Sequence, residues 1–309
     1  MATVRQRSTN SNIDNRSNED DDVVTNKHSL LDWDDLEPWQ QDNEHILSHY
    51  RSPSHNHWKS ITSLAYLHNQ TGNIYSHLLG TVAFLMLAFS LDYEFSDYYS
   101  RQDRILIACF LLGTIFCFGS STYFHLSGNH SAEVYHAWLT MDFFGIITLI
   151  TGTAFPLAYY SYPCHQITLK LCWISVTVIA ILCTVLVFGP TFRQRSWRHY
   201  RAAVFVLFAL IGFFPLFHSL SLHGLEHARR LMGWSWFFAG GLSYVSGALI
   251  YAARFPESLK PGAFDIWGHS HQTFHVMVVL GAVLHFNGIL RSLQYHHDPI
   301  TRVVRDCKL

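Results

Sequence analysis

The sequence predicts an all-α integral membrane protein, a bundle of seven transmembrane helices. Its 309 residues are 49% hydrophobic and only 14% charged, whereas soluble domains average about 25% charged residues. Beyond residue 73 the chain alternates apolar segments with short polar breaks. Each segment is close to the roughly 20 residues that cross the hydrocarbon core of a bilayer. Because lipid offers the backbone no hydrogen-bond partners, these segments are expected to be helices.

This alternation also defines the predicted domain boundaries. The transmembrane domain covers residues 74–290, and residues 291–309 form a short C-terminal tail. Pro156 and Pro215 lie inside spans and are expected to kink them. The seven spans are predicted at 74–91, 105–125, 135–158, 170–189, 202–222, 232–252 and 270–290.

The chain ahead of the first span divides into two segments. Residues 1–35 are rich in Asn, Ser and Asp, a composition that cannot bury a core, so they are predicted to be a disordered acidic tail. Residues 36–73 form a juxtamembrane or interfacial segment. Within it, residues 39–51 mix large apolar with polar side chains, which fits a short helix on the membrane surface or an ordered loop equally well. The start of the chain lacks the pattern of a signal peptide.

Net charge and cysteine usage exclude several classes of function. The formal net charge is −1, so no nucleic-acid partner is implied. The six cysteines form no CxxC pair and lie mostly in apolar stretches, which predicts small buried side chains. Neither a cysteine–zinc site nor a disulfide framework is expected. The cysteines are Cys109, Cys117, Cys164, Cys172, Cys183 and Cys307.

Orientation in the membrane depends on the basic residues of the loops. Basic residues occur on both sides of the predicted bundle, so their overall distribution decides little. The densest group lies between spans four and five, which favours a cytoplasmic N-terminus. That group is Arg193, Arg195, Arg198 and Arg201.

One charged side chain lies well inside the predicted spans. Asp142 occupies span three, and no other charged residue within the spans is available to pair with it. An intramembrane carboxylate is costly and indicates function, although a protonated or hydrogen-bonded structural Asp is the alternative. A bound cation would stabilise the carboxylate.

Two histidines at the start of span seven suggest that cation. His271 and His275 are four residues apart, so a helix places both imidazoles on one face, about 6 Å apart along its axis. This spacing suits two ligands of one metal ion. Because it also occurs elsewhere in this chain of 21 histidines, the spacing alone is a weak signal. An unpaired imidazole inside a span, however, is expensive.

The number of membrane crossings strengthens the metal hypothesis. His125 ends span two, Asp142 follows about two turns into span three, and span seven begins after six crossings. All these residues therefore lie at one face of the membrane, whichever way the protein points. The three imidazoles of His125, His271 and His275 leave a fourth tetrahedral position open, as in catalytic zinc sites, and they suit calcium poorly.

The remaining polar candidates have two interpretations each. Ser121 lies four residues before His125 on the same helix face, and it either contacts a bound water or a ligand, or bonds back to its own helix. Four further histidines in or beside spans are expected to be hydrogen-bonded core or interface residues. His269 is the one that could replace His271 after a register change. The four are His77, His218, His269 and His285.

Four strings in these regions resemble the adiponectin-receptor and haemolysin-III-related family of seven-helix proteins, also called progestin and adipoQ receptors. The resemblance extends from about residue 39 to 290 and fits the order of all seven spans. The acidic tail resembles that of a fungal member. The strings are TGNIYSHLLG (71–80), SSTYFHLSGNHS (120–131), MDFFGI (141–146) and DIWGHSHQTFHVMVVLGAVLHF (265–286).

The resemblance implies a cytoplasmic N-terminus and Zn²⁺ on His125, His271 and His275 near the cytoplasmic face. It also implies that Ser121 and Asp142 contact the water at the metal. A cavity open to lipid and, in some members, ceramide hydrolysis follow as further expectations. The family often has Tyr after the aspartate, where this chain has Phe143, which puts the details of substrate handling in doubt.

Three classes of function are consistent with these residues to different degrees. The first is zinc-dependent hydrolysis of a ceramide-like lipid amide to a sphingoid base and a fatty acid, within lipid, sterol or zinc homeostasis. The second is a non-catalytic receptor or sensor with a structural zinc. Direct metal transport fits poorly, because the candidate ligands cluster at one face. A homo-oligomer is compatible with the sequence, as is residence in the endoplasmic reticulum or the plasma membrane.

Overall fold

The computed structural model of the protein describes residues 30–95 and 100–298. In this part of the chain nine α-helices are preceded by a small antiparallel pair of strands, β1 (Leu30–Leu31) and β2 (Tyr50–Arg51). The helices are α1 (His57–Thr62), α2 (Thr71–Phe95), α3 (Arg101–Ser127), α4 (Ala132–Ser161), α5 (Gln166–Phe188), α6 (Arg198–Gly212), α7 (Phe214–Met232), α8 (Trp234–Ala253) and α9 (Ser270–His297).

The prediction of seven transmembrane helices is confirmed. Seven segments are long and apolar enough to cross a bilayer, and α6 and α7 together form the fifth. Pro215 lies in the first turn of α7, where the chain breaks from α6, so the expected interruption of this span is present. Gly224 interrupts the same helix again, with a positive φ of 72° that a side chain would strain. Helix α4, in contrast, continues through Pro156.

The segments outside the spans differ from the prediction in detail. Of the predicted tail, residues 1–29 lie outside the described residues, whereas β1 and a 3₁₀ turn at Trp33–Asp35 begin the described chain before residue 36. Residues 39–51 form turns and β2, so the ordered loop is the correct alternative there. The short helix of this region is α1, which Asn56 caps by accepting from the amides of Trp58 and Lys59.

Close helix packing positions the histidine-bearing helices. Helix α3 packs along α4, α8 packs along α9, and α2 lies against both α3 and α9. At Gly113 and Gly152 the backbones of α3 and α4 approach each other so closely that a Cβ would lie 2.5 Å and 2.6 Å from a carbonyl oxygen of the other helix. Small residues of this kind permit close approach between helices in a membrane.

Two of the described cysteines are buried as predicted, and Cys307 lies outside the described residues. Cys109, Cys117, Cys172 and Cys183 are free thiols on the transmembrane helices, where Cys117 and Cys183 are buried and Cys109 and Cys172 are half-buried. Cys164, in contrast, is disulfide-bonded and lies in the exposed turn between α4 and α5. Its expected role as a small buried apolar residue is therefore wrong. Composition cannot reveal such a bond, because neither cysteine spacing nor neighbouring polarity marks it.

Candidate metal centre

Three histidines from two separate helices converge at one end of the bundle. His125 lies in the last turn of α3, and His271 and His275 lie in the first two turns of α9. One ring nitrogen of each lies within 4.8 Å of the others, and the ring centroids are 4.8–4.9 Å apart. Zn–N bonds of about 2.0–2.1 Å in a tetrahedron place ligand nitrogens about 3.4 Å apart, so small ring rotations would complete a site.

Gln70 fixes the orientation of His125. Its Oε1 lies 2.8 Å from His125 Nδ1 and also accepts from Asn73 Nδ2 at 2.8 Å. With the Gln70 amide in this orientation its oxygen can only accept, which assigns the His125 proton to Nδ1. His125 Nε2 is buried and has no partner among the described residues, as expected of a nitrogen reserved for a metal.

The backbone of α2 orients His275 in the same way. His275 Nδ1 lies 3.1 Å from the carbonyl oxygen of Asn73, which can only accept, and 3.2 Å from the hydroxyl of Ser76. The proton is thus on Nδ1, and Nε2 is left as the ligand atom. Helix α2 contributes no member of the histidine trio, yet its first two turns orient His275, and Gln70 directly before it orients His125.

Aromatic rings surround the other side of the cluster. His271 packs edge-on against Tyr251 of α8, with centroids 5.0 Å apart. His77 of α2 stacks on His275 at 3.7 Å with nearly parallel rings, and Phe118 lies against its other side at 4.8 Å. His77 was expected to be a hydrogen-bonded core histidine. Both of its nitrogens are buried and lack partners among the described residues, so its role here is stacking.

Ser121 and Asp142 share a cavity with two of the histidines. Both line the cavity that also contains His271 and His275, and the Ser121 hydroxyl faces the Asp142 carboxyl. Ser120 and Thr122 bond back to their own helix, at 3.1 Å and 2.8 Å. Ser121 Oγ makes no such bond to the described residues. Of the two interpretations of Ser121, the back-bonded serine is therefore not the one observed.

The cluster lies beside a large apolar cavity. Its volume is about 350 Å³, and it extends from the arginines of the α5–α6 loop past the histidines to His285 deep in α9. Most of its wall is aromatic or aliphatic, with a few polar groups close to the histidines. A cavity of this kind, apolar with convergent polar groups at one place, is typical of a small-molecule site.

Residues before the first span hold the end of α3. Arg51 is buried and donates to the carbonyl oxygens of His125 at 2.6 Å and Leu126 at 2.8 Å. It also donates to Ser63 Oγ at 2.8 Å. The last carbonyl groups of a helix have no partners within the helix, so Arg51 satisfies two of them and anchors the turn that carries His125.

A buried carboxylate holds the start of α9 in a similar way. Glu257 accepts from the amide of Ser270 at 2.8 Å, from the Ser270 hydroxyl, and from Asn43 Nδ2 at 3.1 Å. Burial acts to raise the pKa of Glu257, but these hydrogen bonds hold it below its usual value of 4.5. The ionised group therefore fixes the first turn of α9, directly before His271.

The other histidines considered from the sequence have separate roles. His269 is the residue preceding α9 and contacts the carbonyl oxygen of Asn69 at 3.3 Å, so His271 rather than His269 joins the trio. His218 pairs with the Tyr162 hydroxyl at 2.9 Å, and His285 with the carbonyl of Phe237 at 3.0 Å.

Sequence reasoning missed four residues that orient or anchor the histidines. Asn73 lies within the family-like string at 71–80 but was given no role there, and the other three carry no motif. The one further signal is a polar run, HNQTGN at 68–73, on the same side of span one as the histidines. That run contains two of the four. The missed residues are Gln70, Asn73, Arg51 and Glu257.

The sequence comparisons agree with this architecture. The model of the Haemolysin-III related family matches residues 65–286, which include all three histidines, Ser121 and Asp142. The chain belongs to this family. Members matched along most of this chain include heptahelical transmembrane protein 1 of Arabidopsis thaliana, which is 29% identical over 87% of this chain and 82% of its own length.

Two relatives of the haemolysin-III-related chain, one fungal and one animal, are named as receptors. The ADIPOR-like receptor IZH2 of Saccharomyces cerevisiae is 35% identical over 87% of this chain and 85% of its own length. The adiponectin receptor protein of Drosophila melanogaster is 36% identical over 84% of this chain but only 59% of its own length. The expected family resemblance is thereby confirmed.

Proposed function

We propose that this haemolysin-III-related protein binds one Zn²⁺ ion on His125, His271 and His275 and hydrolyses a ceramide-like lipid amide. The observation that carries the zinc proposal is the buried Nε2 of His125, unpartnered among the described residues, which Gln70 holds in the ligand tautomer beside two further imidazoles. Three neutral nitrogens match the donor set of catalytic zinc sites. Zinc bound there would supply a Lewis acid that polarises an amide carbonyl and acidifies water.

The residues around the histidines would perform the proton transfers. Asp142 would accept a proton from the attacking water and pass it to the leaving nitrogen, so that the C–N bond breaks after the C–O bond has formed. Ser121, whose hydroxyl is not used by its helix, would orient that water by a hydrogen bond. The apolar cavity would hold the acyl chain and keep bulk water away.

We also propose that the N-terminus and the histidine site face the cytoplasm. The arginine-rich loop between α5 and α6 lies on the same side of the bundle as the histidines. Cys164, at the opposite end of α4, is disulfide-bonded, and disulfides persist in oxidising compartments. An N-terminal epitope that is inaccessible to antibody in intact cells and becomes accessible when the plasma membrane alone is permeabilised would support this orientation in either membrane. Accessibility in intact cells, or only after internal membranes are also permeabilised, would contradict it.

Turnover by the purified protein tests the hydrolase proposal. The wild type, reconstituted in lipid and loaded with zinc, is incubated with a ceramide while released fatty acid is measured. We expect release that His271→Ala abolishes, together with about one zinc per chain in the wild type. Zinc-loaded wild type that releases no more fatty acid than His271→Ala would eliminate the proposal.

A second candidate function is a receptor or sensor in which zinc is structural. It is supported by the names of the yeast and Drosophila relatives and by the position of the histidines, which would join α3 to α9 across α2. On this hypothesis, substitution of a ligand should unfold or mistraffic the protein. Ligand variants that fold normally and lose only turnover would exclude it. Either function would act in lipid, sterol or zinc homeostasis.

A further inference from the structure

A second group of histidines lies at the end of the bundle opposite the first trio. His223 and His227 are four residues apart on α7, the same spacing as the histidine pair of α9. His165 directly precedes α5, in the turn that follows α4. Helix α4 and the fifth span both begin at the face of the first trio, so the turn after α4 and the last turns of α7 share the other face.

The rings of this group are close to the separation that one metal ion requires. Zn–N bonds of about 2.0–2.1 Å in a tetrahedron place the ring centroids of two ligands about 5.2 Å apart. The centroids of His223 and His227 are 5.3 Å apart, and those of His165 and His223 are 6.2 Å apart. Among the described residues only the first trio already holds its ligand atoms within 4.8 Å of one another. A ligand role therefore requires the exposed side chain of His165 to turn toward the pair, which a surface side chain does readily.

His223 supplies the observation that points to a ligand. Its Nε2 is buried and has no hydrogen-bond partner in the described part of the chain. A buried polar atom without a partner is costly, so such atoms are rare in folded proteins. A metal ion shared with His227 and His165 would supply the missing interaction. Neutral imidazoles suit Zn²⁺, Cu²⁺ or Ni²⁺, whereas Ca²⁺ and Mg²⁺ prefer oxygen ligands.

A fourth histidine of this region is held in a different role. His218 is close enough to His223 to interact with it electrostatically. Its Nδ1, however, pairs with the Tyr162 hydroxyl at 2.9 Å, and its ring stacks on Phe214 with centroids 5.2 Å apart. These contacts fix the ring of His218, so three imidazoles remain and a fourth tetrahedral position would be open to water.

Gly224 gives the histidine pair of α7 room to adjust. It lies directly after His223, and its φ of 72° and ψ of 165° interrupt the helix between His223 and His227. A glycine adopts these angles without strain, and a Cβ at this position would meet nothing within 4 Å. The two imidazoles are therefore not held rigidly in the geometry of one continuous helix.

We propose that His165, His223 and His227 form a second binding site for a divalent transition-metal ion of the imidazole-preferring class, such as Zn²⁺. The ion would join the turn before α5 to the second half of α7. In the orientation proposed above, this site takes its metal from the non-cytoplasmic side, whereas the first trio faces the cytoplasm. The inference does not depend on hydrolysis or on zinc binding by the first trio.

Zinc titration of the purified protein in lipid tests this proposal. Free Zn²⁺ is set with zinc buffers, and bound zinc per chain is measured by metal analysis. The protein must carry no histidine tag, because a tag would itself bind zinc. The variants are His223→Ala, His227→Ala and His165→Ala, with His271→Ala for the first trio. His199→Ala is the matched control, since His199 is an exposed histidine at the other end of the bundle.

We expect the wild type to bind two zinc ions per chain in two steps. His223→Ala and His227→Ala should lose the weaker step, and His165→Ala should shift it to higher free zinc. All three should retain the tighter step, which also reports that the protein is folded. His271→Ala should lose only the tighter step, and His199→Ala should retain both. In sealed vesicles of one orientation, a membrane-impermeant chelator outside should remove zinc from one site and leave the other.

Two results would overturn the inference. One is a wild type that binds a single zinc ion per chain, a measurement that holds even if the histidine variants fail to fold. The other is a weaker step that survives in both His223→Ala and His227→Ala, which would identify adventitious binding elsewhere. A wild type that shows only the step removed by His223→Ala, and none that His271→Ala removes, would instead refute zinc binding by the first trio and leave this inference standing.

Discussion

Replacing Gln70 by Ala should weaken zinc binding without removing any ligand. In the wild type, Gln70 Oε1 accepts from His125 Nδ1 at 2.8 Å and so leaves Nε2 free for the metal. The alanine variant loses this acceptor, so the proton on His125 is no longer fixed to one nitrogen. The substitution also removes the acceptor of the Asn73 side-chain amide. Asn73 in turn orients His275 through its backbone carbonyl oxygen.

The magnitude follows from the hydrogen bonds that the substitution removes. One buried imidazole N–H is left without an acceptor, which costs about 1–3 kcal/mol. Replacing a residue that hydrogen-bonds the second ring nitrogen of a metal-bound histidine usually lowers metal affinity by about 10–100-fold. Since about 1.4 kcal/mol corresponds to a factor of ten, the two figures agree, and we expect zinc affinity to fall by one to two orders of magnitude.

The assay is competition for zinc between the purified protein and a chelator of known affinity. Gln70→Glu keeps an acceptor at the same position and should bind zinc at least as tightly as the wild type. Tyr75→Phe is the control on α2, since it removes only a hydrogen bond to the carbonyl of Leu64. If Gln70→Ala matched the wild type in affinity, the orienting role of Gln70 would be refuted.

Three further variants test separate parts of the argument. Asp142→Asn should reduce fatty-acid release by about 10²–10⁴-fold while zinc content, measured by metal analysis, stays unchanged. Gly152→Ala should lower the free energy of unfolding by about 1–3 kcal/mol, as measured by thermal melting, because the added Cβ would lie 2.6 Å from the Cys109 carbonyl oxygen. Gly212→Ala is the control, because a Cβ at that position meets nothing within 4 Å. Because the folded pKa of Glu257 is lowered, its ionised form stabilises the fold above its unfolded value of 4.5, and this contribution is lost as the pH falls below that value. Melting curves of Glu257→Gln should therefore show a weaker loss of stability in acid than the wild type, and an equal loss would contradict the role of Glu257.

Hydropathy was sufficient to predict the seven-helix bundle. Counting the membrane crossings was sufficient to predict that the histidines lie at one end of it. Segment length fixes the number of spans, and parity places His125 and His271 at the same face even though four further spans separate them in the chain. Helical spacing then adds His275. None of these steps specifies how each helix is rotated about its own axis. They therefore predict that the histidines lie at the same depth in the membrane, but they do not predict that the side chains touch.

The residues that the sequence could not reveal depend on that rotation. Gln70 and Arg51 precede the first span and carry no motif of their own, and only the packing of α2 and α3 brings them to His125. Asp103 was missed for a different reason, since α3 begins before the predicted apolar span. Asp103 is buried in the first turn of α3, where it pairs with Tyr160 and His297 at 2.9 Å each.

The dependence of the histidine site on its orienting residues separates zinc binding from catalysis. A structural zinc and a catalytic zinc both need oriented imidazoles, so Gln70→Ala should lower zinc affinity under either hypothesis. Only the hydrolase needs a proton acceptor near the metal. Asp142 is the candidate, because it lines the same cavity as His271 and His275 without belonging to the histidine trio. A protein that keeps its zinc and its fold but loses fatty-acid release in Asp142→Asn is therefore an enzyme. The opposite result is a wild type that releases no fatty acid and an Asp142→Asn protein that is indistinguishable from it. In that case the zinc is structural and holds α3 and α9 together, and the receptor hypothesis is the better one.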